Sequence, residues 1–218
     1  MFDAVLFDMD GLMFDTETIW RASWGPTLIA LNLPLDARVP EAVRGTTAGE
    51  FAAAVRRVLG PDVDIDQIWD VWQTIANTVF KHGVAKKPGL DEIVDFLKER
   101  DVPIAVASSS TVDQIRLNLE NTGLLDRFDA MVSGLEVAHA KPEPDVFLRA
   151  AEILGADPAR TLVLEDSYNG VRAGHAGGFI TIMVPDLSEP TDEMRELADR
   201  ICPSLLEVRD LLAAGEIG

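Results

Sequence analysis

The sequence predicts an α/β fold: a mostly parallel sheet covered by helices, with an all-helical segment inserted after the first strand. Three observations predict it. The apolar run Ala4 to Phe7 stops at Asp8, as a buried strand does. No strand pattern appears between Thr16 and His82, where apolar residues recur at helical spacing. From Pro88 onward helical and strand patterns alternate, which is the order that builds a parallel sheet with helices on both faces. The first strand must join that later set. The chain therefore divides into a core, residues 1–15 and 83–218, and an insertion, residues 16–82.

Within the insertion, Trp20, Trp24, Leu28 and Leu31 make one helical stripe, with a kink or break expected at Gly25-Pro26. Phe51, Ala54, Val55, Val58 and Leu59 make a second, and Ile65, Ile68, Trp72, Ile75 and Val79 a third. Asp62, Asp64 and Asp66 imitate the start of a calcium loop, but Gln67 and Gln73 stand where its glycine and glutamate belong. These acids read as favourable charges near a helix N-terminus.

In the core, a helix is predicted over Leu90 to Arg100 and a strand over Pro103 to Ala107, running into Ser108-Ser109-Ser110. Thr111 with Gln114 forms a capping box for the next helix. Ala130 to Val132 is a short strand, and Pro144 opens a helix to Leu154. Strands follow at Thr161 to Leu164 and Phe179 to Val184, then a weak strand near Ile201 and a helix from Ser204 to Ala213.

The 218 residues allow one large domain or two small ones, and 47% hydrophobic content is ample for a core. A net charge of −18 argues against nucleic acid or an anionic membrane as partner. It does not exclude a phosphate substrate, because a bound cation and one lysine reverse the local sign. The single cysteine, Cys202, rules out an intrachain disulfide and reads as core. There is no signal-peptide pattern and no apolar run of membrane-spanning length. A soluble, cytoplasmic monomer is the expectation.

Three predicted strands end in polar clusters: Asp8, Ser108 and Glu165-Asp166. In a parallel sheet those ends share one edge, the edge where ligands bind. Asp8, Asp10, Glu165 and Asp166 are thereby brought together, and like charges that close do not all stay ionised without a cation. An all-oxygen set with no suitable histidine or cysteine suits magnesium. A bare D-x-D is a weak signal, since Asp62-Val63-Asp64 and Asp64-Ile65-Asp66 also fit it. Strand, D-x-D-G and Asp15-Thr16-Glu17 together are far more specific. His82, His139 and His175 lack metal-ligand spacing, and Gly174, Gly177 and Gly178 make no dinucleotide fingerprint.

Phe7-Asp8-Met9-Asp10-Gly11-Leu12 with Asp15-Thr16-Glu17 resembles the first motif of the haloacid dehalogenase-like hydrolases, nearest the branch of β-phosphoglucomutase and sugar-phosphate phosphatases. Ala107-Ser108-Ser109, Ala140-Lys141-Pro142-Glu143-Pro144-Asp145 and Leu164-Glu165-Asp166-Ser167-Tyr168-Asn169-Gly170 resemble the other three, in order. The resemblance implies a Rossmann-like core with the helical insertion as a cap, and a small phosphorylated metabolite as substrate. It implies Asp8 as nucleophile through an aspartyl-phosphate and Asp10 as general acid and base. Ser108, Ser109 and Lys141 would bind phosphate, and Asp8, Asp10, Glu165 and Asp166 would hold Mg2+. Thr16, Trp20 and Arg44 would lie on the substrate side of the cap. Glucose-phosphate mutases carry a histidine on the first cap helix and an arginine in the following loop; the matching positions here are Trp20 and Ala48, although Arg44 with Gly45-Thr46-Thr47 keeps the loop's form. A phosphatase is therefore favoured over a mutase. A dehalogenase needs neither Asp10 nor the metal acids, and no catalytic position is lost that would favour a non-catalytic phosphate-binding regulator.

Overall fold

The structure is a computed structural model that describes residues 2–44, 46 and 48–217, without the Ala48 side chain. Gly45 and Thr47 of the predicted cap loop, and the side chain of Ala48, lie outside the described residues. The elements are β1 (Ala4–Phe7), α1 (Thr16–Ala30), α2 (Arg38–Val43), α3 (Ala48–Leu59), α4 (Ile65–Phe80), α5 (Leu90–Lys98), β2 (Ile104–Ser108), α6 (Val112–Asn121), β3 (Ala130–Ser133), α7 (Asp145–Leu154), β4 (Thr161–Glu165), α8 (Tyr168–Ala176), β5 (Ile180–Met183), α9 (Asp192–Leu197), β6 (Arg200–Ile201) and α10 (Leu205–Ala214). They fall into two compact units, Met1–Asp15 with Val84–Gly218, and Thr16–Gly83.

The first unit is a Rossmann-like α/β layer structure. Its sheet has the order β3-β2-β1-β4-β5-β6, and every pairing is parallel. Alternation along each strand divides the core between the two faces. Val5, Phe7, Ile104, Val106, Leu162 and Leu164 point to one cluster. Leu6, Ala105, Ala107 and Val163 point to the other, where the small alanines leave room for Phe147 of α7. Burial on both faces explains why these strands read as continuous apolar runs. Each fully buried large side chain contributes about 1.5–3 kcal/mol.

Sequence reasoning passed over the helix that follows β4. Its glycines, Gly170 and Gly174, disguise it, and both sit there for packing: a Cβ on Gly170 would overlap the Glu165 carboxylate, and one on Gly174 would collide with the Thr181 side chain. Ser167 caps this helix by accepting from Gly170 N at 3.1 Å. The capping box at α6 is half formed. Thr111 Oγ1 accepts from Gln114 N at 3.2 Å, but the Gln114 amide turns to Asn118 Oδ1.

Among the described residues of the second unit, the regular elements are the helices α1 to α4. Helix α1 runs through Gly25-Pro26 without the expected break. A proline inside a helix costs about 3 kcal/mol. Here Trp24 and Leu28 flank it and are buried in one cluster with Ile68 and Trp72 of α4, which holds the turn in place. Trp24 stacks on Trp72 with centroids 4.7 Å apart, and Phe51 stacks on Trp72 from α3 at 5.6 Å. Asp64 caps α4 by accepting from Gln67 N at 3.0 Å, as the acids ahead of that helix suggested.

Candidate active site

Because β1, β2 and β4 are parallel, their carboxyl ends lie on one edge, and the strand order reverses between β1 and β4. That switch point is where open α/β sheets form a crevice. The backbone ladder carries past the strand ends and fixes the residues that follow. Asp8 N donates to Leu164 O at 3.0 Å, and Val184 N donates to Glu165 O at 2.7 Å.

Lys141 arrives from the loop between β3 and α7 and ties the edge together. Its ammonium donates to Asp8 Oδ1 at 2.5 Å, Glu165 Oε1 at 2.7 Å and Ala107 O at 3.1 Å. Three donors meet three acceptors, so the charge is held at one point. The Phe147 ring lies 4.6 Å from Nζ and closes the apolar side. The Lys141 and Asp8 side chains are 6% and 9% exposed, and Glu165 is fully buried. Burial alone would lower the Lys141 pKa, but Asp8 and Glu165 outweigh it and hold the ammonium above its usual value. Burial pushes the Asp8 carboxyl up to about 8; Lys141 opposes that shift, and the charges of Glu165 and Asp10 add to it.

Asp10 is fixed by hydroxyls. Ser108 Oγ and Ser110 Oγ donate to Asp10 Oδ2 at 3.2 and 2.8 Å, and Ser110 N donates to Ser108 Oγ at 3.0 Å. Ser133 Oγ holds the Ser110 carbonyl at 2.7 Å. Ser109, expected with Ser108 at the phosphate, is exposed, and Ser110 is the second serine on Asp10. Sequence reasoning missed Ser167. Its N and Oγ donate to Glu165 Oε2 at 2.7 and 2.9 Å, leaving Oε1 for Lys141.

Asp166 differs from these acids. Its Oδ1 is buried without a hydrogen-bond partner. Gly11, at φ +87°, brings the turn after β1 so close that a Cβ there would overlap Asp166 Oδ2. Burial, with Glu165 and Asp8 adding, holds the Asp166 carboxyl well above the usual range. An unpartnered buried oxygen among carboxylates is the kind of donor a hard cation takes. Among the described residues, no three His, Cys, Asp or Glu side chains are drawn together as a metal cluster. Asp10 and Glu165 direct oxygens to serines and Lys141 instead, while Asp166 keeps one oxygen free.

Asp8, Asp10, Ser108, Lys141, Glu165 and Asp166 thus gather on one edge of the first unit. Thr16, Trp20 and Arg44 belong to the second. Thr16 opens α1, buried and with Oγ1 unpartnered. Trp20 packs on Trp72 and Phe80, with ring centroids 4.9 and 5.2 Å away, and its carbonyl accepts from Trp72 Nε1 at 3.0 Å. Arg44 is exposed and lies 3.4 Å from Glu41.

Fold and site define an α/β protein with a lysine-bridged pair of buried acids at its switch point. The family model of the haloacid dehalogenase-like hydrolases matches residues 5–184. The chain belongs to that family. It is 29% identical over 231 residues to hexitol phosphatase B of Escherichia coli K12, covering 96% of each chain. It is 31% identical over 206 residues to the bifunctional riboflavin kinase/FMN phosphatase of Arabidopsis thaliana, and there it spans about half the relative's length, 54%. A crystal structure of a family hydrolase from Deinococcus radiodurans, with bound phosphate and sodium, superposes with a TM-score of 0.79 at 30% identity, covering 99% of this chain and 96% of that one. Family and relatives support a phosphoric monoester hydrolase. Among the described residues no helix is long and apolar enough to cross a membrane.

Proposed function

We propose that this protein is a magnesium-dependent phosphatase of small phosphorylated metabolites, acting through an aspartyl-phosphate on Asp8, with the helical unit as its cap. One observation carries the reading: the Asp8 carboxylate is fixed at the switch point by Lys141, beside a second acid, Asp10, that two serine hydroxyls orient. The phosphatases among the relatives support the reaction class.

Asp8 attacks phosphorus, forming an O–P bond as the ester O–P bond breaks. Asp10 gives its proton to the leaving oxygen and then takes one from the water that cleaves the acyl phosphate, so one difficult step becomes two. Ser108, Ser109 and Lys141 bind the phosphoryl oxygens. Lys141, paired with Asp8 and Glu165, offsets part of the negative charge at the point where more must enter. Asp8 and Asp166 would hold magnesium, with Asp10 and Glu165 completing the acid set; the free Asp166 Oδ1 and the raised Asp8 and Asp166 carboxyls support this. When bound, the cation supplies Lewis-acid charge on the transferring group. Thr16, Trp20 and Arg44 are proposed on the substrate side of the cap.

The test is trapping. During turnover of a small sugar phosphate, hydroxylamine should convert Asp8, and no other carboxyl, to a hydroxamate detectable by peptide mass spectrometry. Turnover with no modified Asp8 would overturn the covalent route.

A further inference from the structure

Two buried carboxylate oxygens in the first unit have no hydrogen-bond partner: Asp166 Oδ1 and Asp186 Oδ2. They come from neighbouring strand ends. Glu165 is in register with Met183, so Asp166 follows β4 by one residue and Asp186 follows β5 by three, on the same edge of the sheet. Asp186 is not a stray surface acid. Its side chain is 11% exposed, and its Oδ1 receives Lys87 Nζ at 2.5 Å. Lys87 is itself pinned, because its N donates to Met13 O at 2.8 Å on the turn that carries Asp10 and Gly11. The Asp186 charge also adds to the field that keeps the Asp166 carboxyl high. A carboxylate gripped at one oxygen and bare at the other is an oriented acceptor.

We propose that Asp186, oriented by Lys87, is a positioning residue of the divalent-cation site, offering Oδ2 as an outer-sphere acceptor and a fixed negative charge beside Asp166. The inference rests on the magnesium reading given above. Lys87 fixes the Asp186 carboxylate and, through Met13, joins it to the turn that carries Asp10. Sequence reasoning did not single out either residue; their contact spans 99 positions of the chain.

The test is Mg2+ binding by isothermal titration calorimetry on phosphate-free protein, so that the readout is independent of turnover. Removing an outer-sphere partner typically weakens metal affinity about 10–100-fold. Asp186→Asn should weaken Mg2+ binding about tenfold. If that variant does not fold, the double variant K87Q/D186N carries the same test, because neither charge is then left buried alone. A merely structural ion pair would move the melting temperature of the metal-free protein and leave the Mg2+ dissociation constant unchanged. Wild-type affinity in Asp186→Asn, or in the double variant, overturns the proposal while the magnesium site stands. A wild-type protein that does not bind Mg2+ overturns the magnesium reading and this inference with it.

Discussion

Gly170 lies directly against the Glu165 carboxylate: a Cβ on Gly170 would overlap Glu165 Oε1 and Cδ. Glu165 has no room to retreat, since Lys141 holds one oxygen and Ser167 the other. Gly170→Ala should therefore destabilise the fold by about 1–3 kcal/mol, the usual cost of overpacking, against a helix-propensity gain of up to about 1 kcal/mol. A melting temperature lowered by several degrees, together with weakened turnover, is the expected result. An alanine variant as stable and active as wild type would show that Glu165 moves freely.

Asp8→Asn should remove turnover while the protein stays folded. The amide cannot attack phosphorus, and losing an essential nucleophile costs about 10⁴-fold or more in kcat. Steady-state phosphate release measures it, with mass spectrometry to show that the introduced amide has not hydrolysed back to the acid. Activity within tenfold of wild type would remove Asp8 from its role.

The metal-free protein should lose stability as pH rises. Asp8 holds its proton up to about 8 in the folded chain, against 3.8 as the ordinary value. Above that ordinary value the unfolded chain releases the proton and the folded chain retains it. The unfolded state then binds fewer protons, and stability falls with pH. The contribution is complete below about 4 and is lost by about 8. Asp166 is raised in the same direction and acts with the same sign. Lys141, raised above 10.5, loses its contribution only at higher pH and leaves this window unchanged. Magnesium should reverse the trend, because it takes the ionised carboxylates. The rise in melting temperature on adding Mg2+ should be larger at pH 8 than at pH 5, and activity should vanish in excess chelator. An equal rise at both values would contradict the assignment.

How much of this was legible in the sequence depends on where each signal lies. Strands β1, β2 and β4 were legible because they are buried on both faces and end abruptly in polar residues. The convergence of Asp8, Ser108 and Glu165 followed from parallel order alone. Helix α8 was not legible, because its composition answers to Glu165 and Thr181 across the fold rather than to helix propensity. The break expected at Gly25-Pro26 is a local rule that the burial of Trp24 and Leu28 overrides. Ser110, Ser167 and the Lys87–Asp186 pair act through contacts that spacing along the chain does not encode.

Cys202 offers a control on the core. Burial, with the Glu207 charge adding, pushes its thiol up to about 11. Little thiolate exists near neutral pH, and the side chain is buried. An aromatic disulfide reagent should react slowly with the native protein and promptly, with one equivalent, once it is unfolded. Fast reaction in native protein would mean that the region around β6 opens readily.

The choice between phosphatase and mutase turns on the helical unit. A mutase must hold a bisphosphate and turn it around, which needs a second phosphate site. Trp20, proposed to match the histidine of the resembling mutases, is a large apolar ring packed on Trp72 and Phe80. Truncating it would disturb that cluster, so Trp20→Ala would confound binding with folding. Arg44 is the cleaner probe. Its ion pair with Glu41 is solvent-exposed and contributes at most about 1 kcal/mol, so removing it should leave stability nearly unchanged. If Arg44 grips the distal polar end of the substrate, Arg44→Ala should raise KM more than it lowers kcat, the mark of lost uniform binding. Product analysis completes the test. Wild-type enzyme should release inorganic phosphate from small phosphate monoesters and should not convert β-glucose 1-phosphate to glucose 6-phosphate at a comparable rate, even when primed with the bisphosphate. Efficient, bisphosphate-dependent formation of glucose 6-phosphate with little free phosphate would replace the phosphatase reading with a mutase.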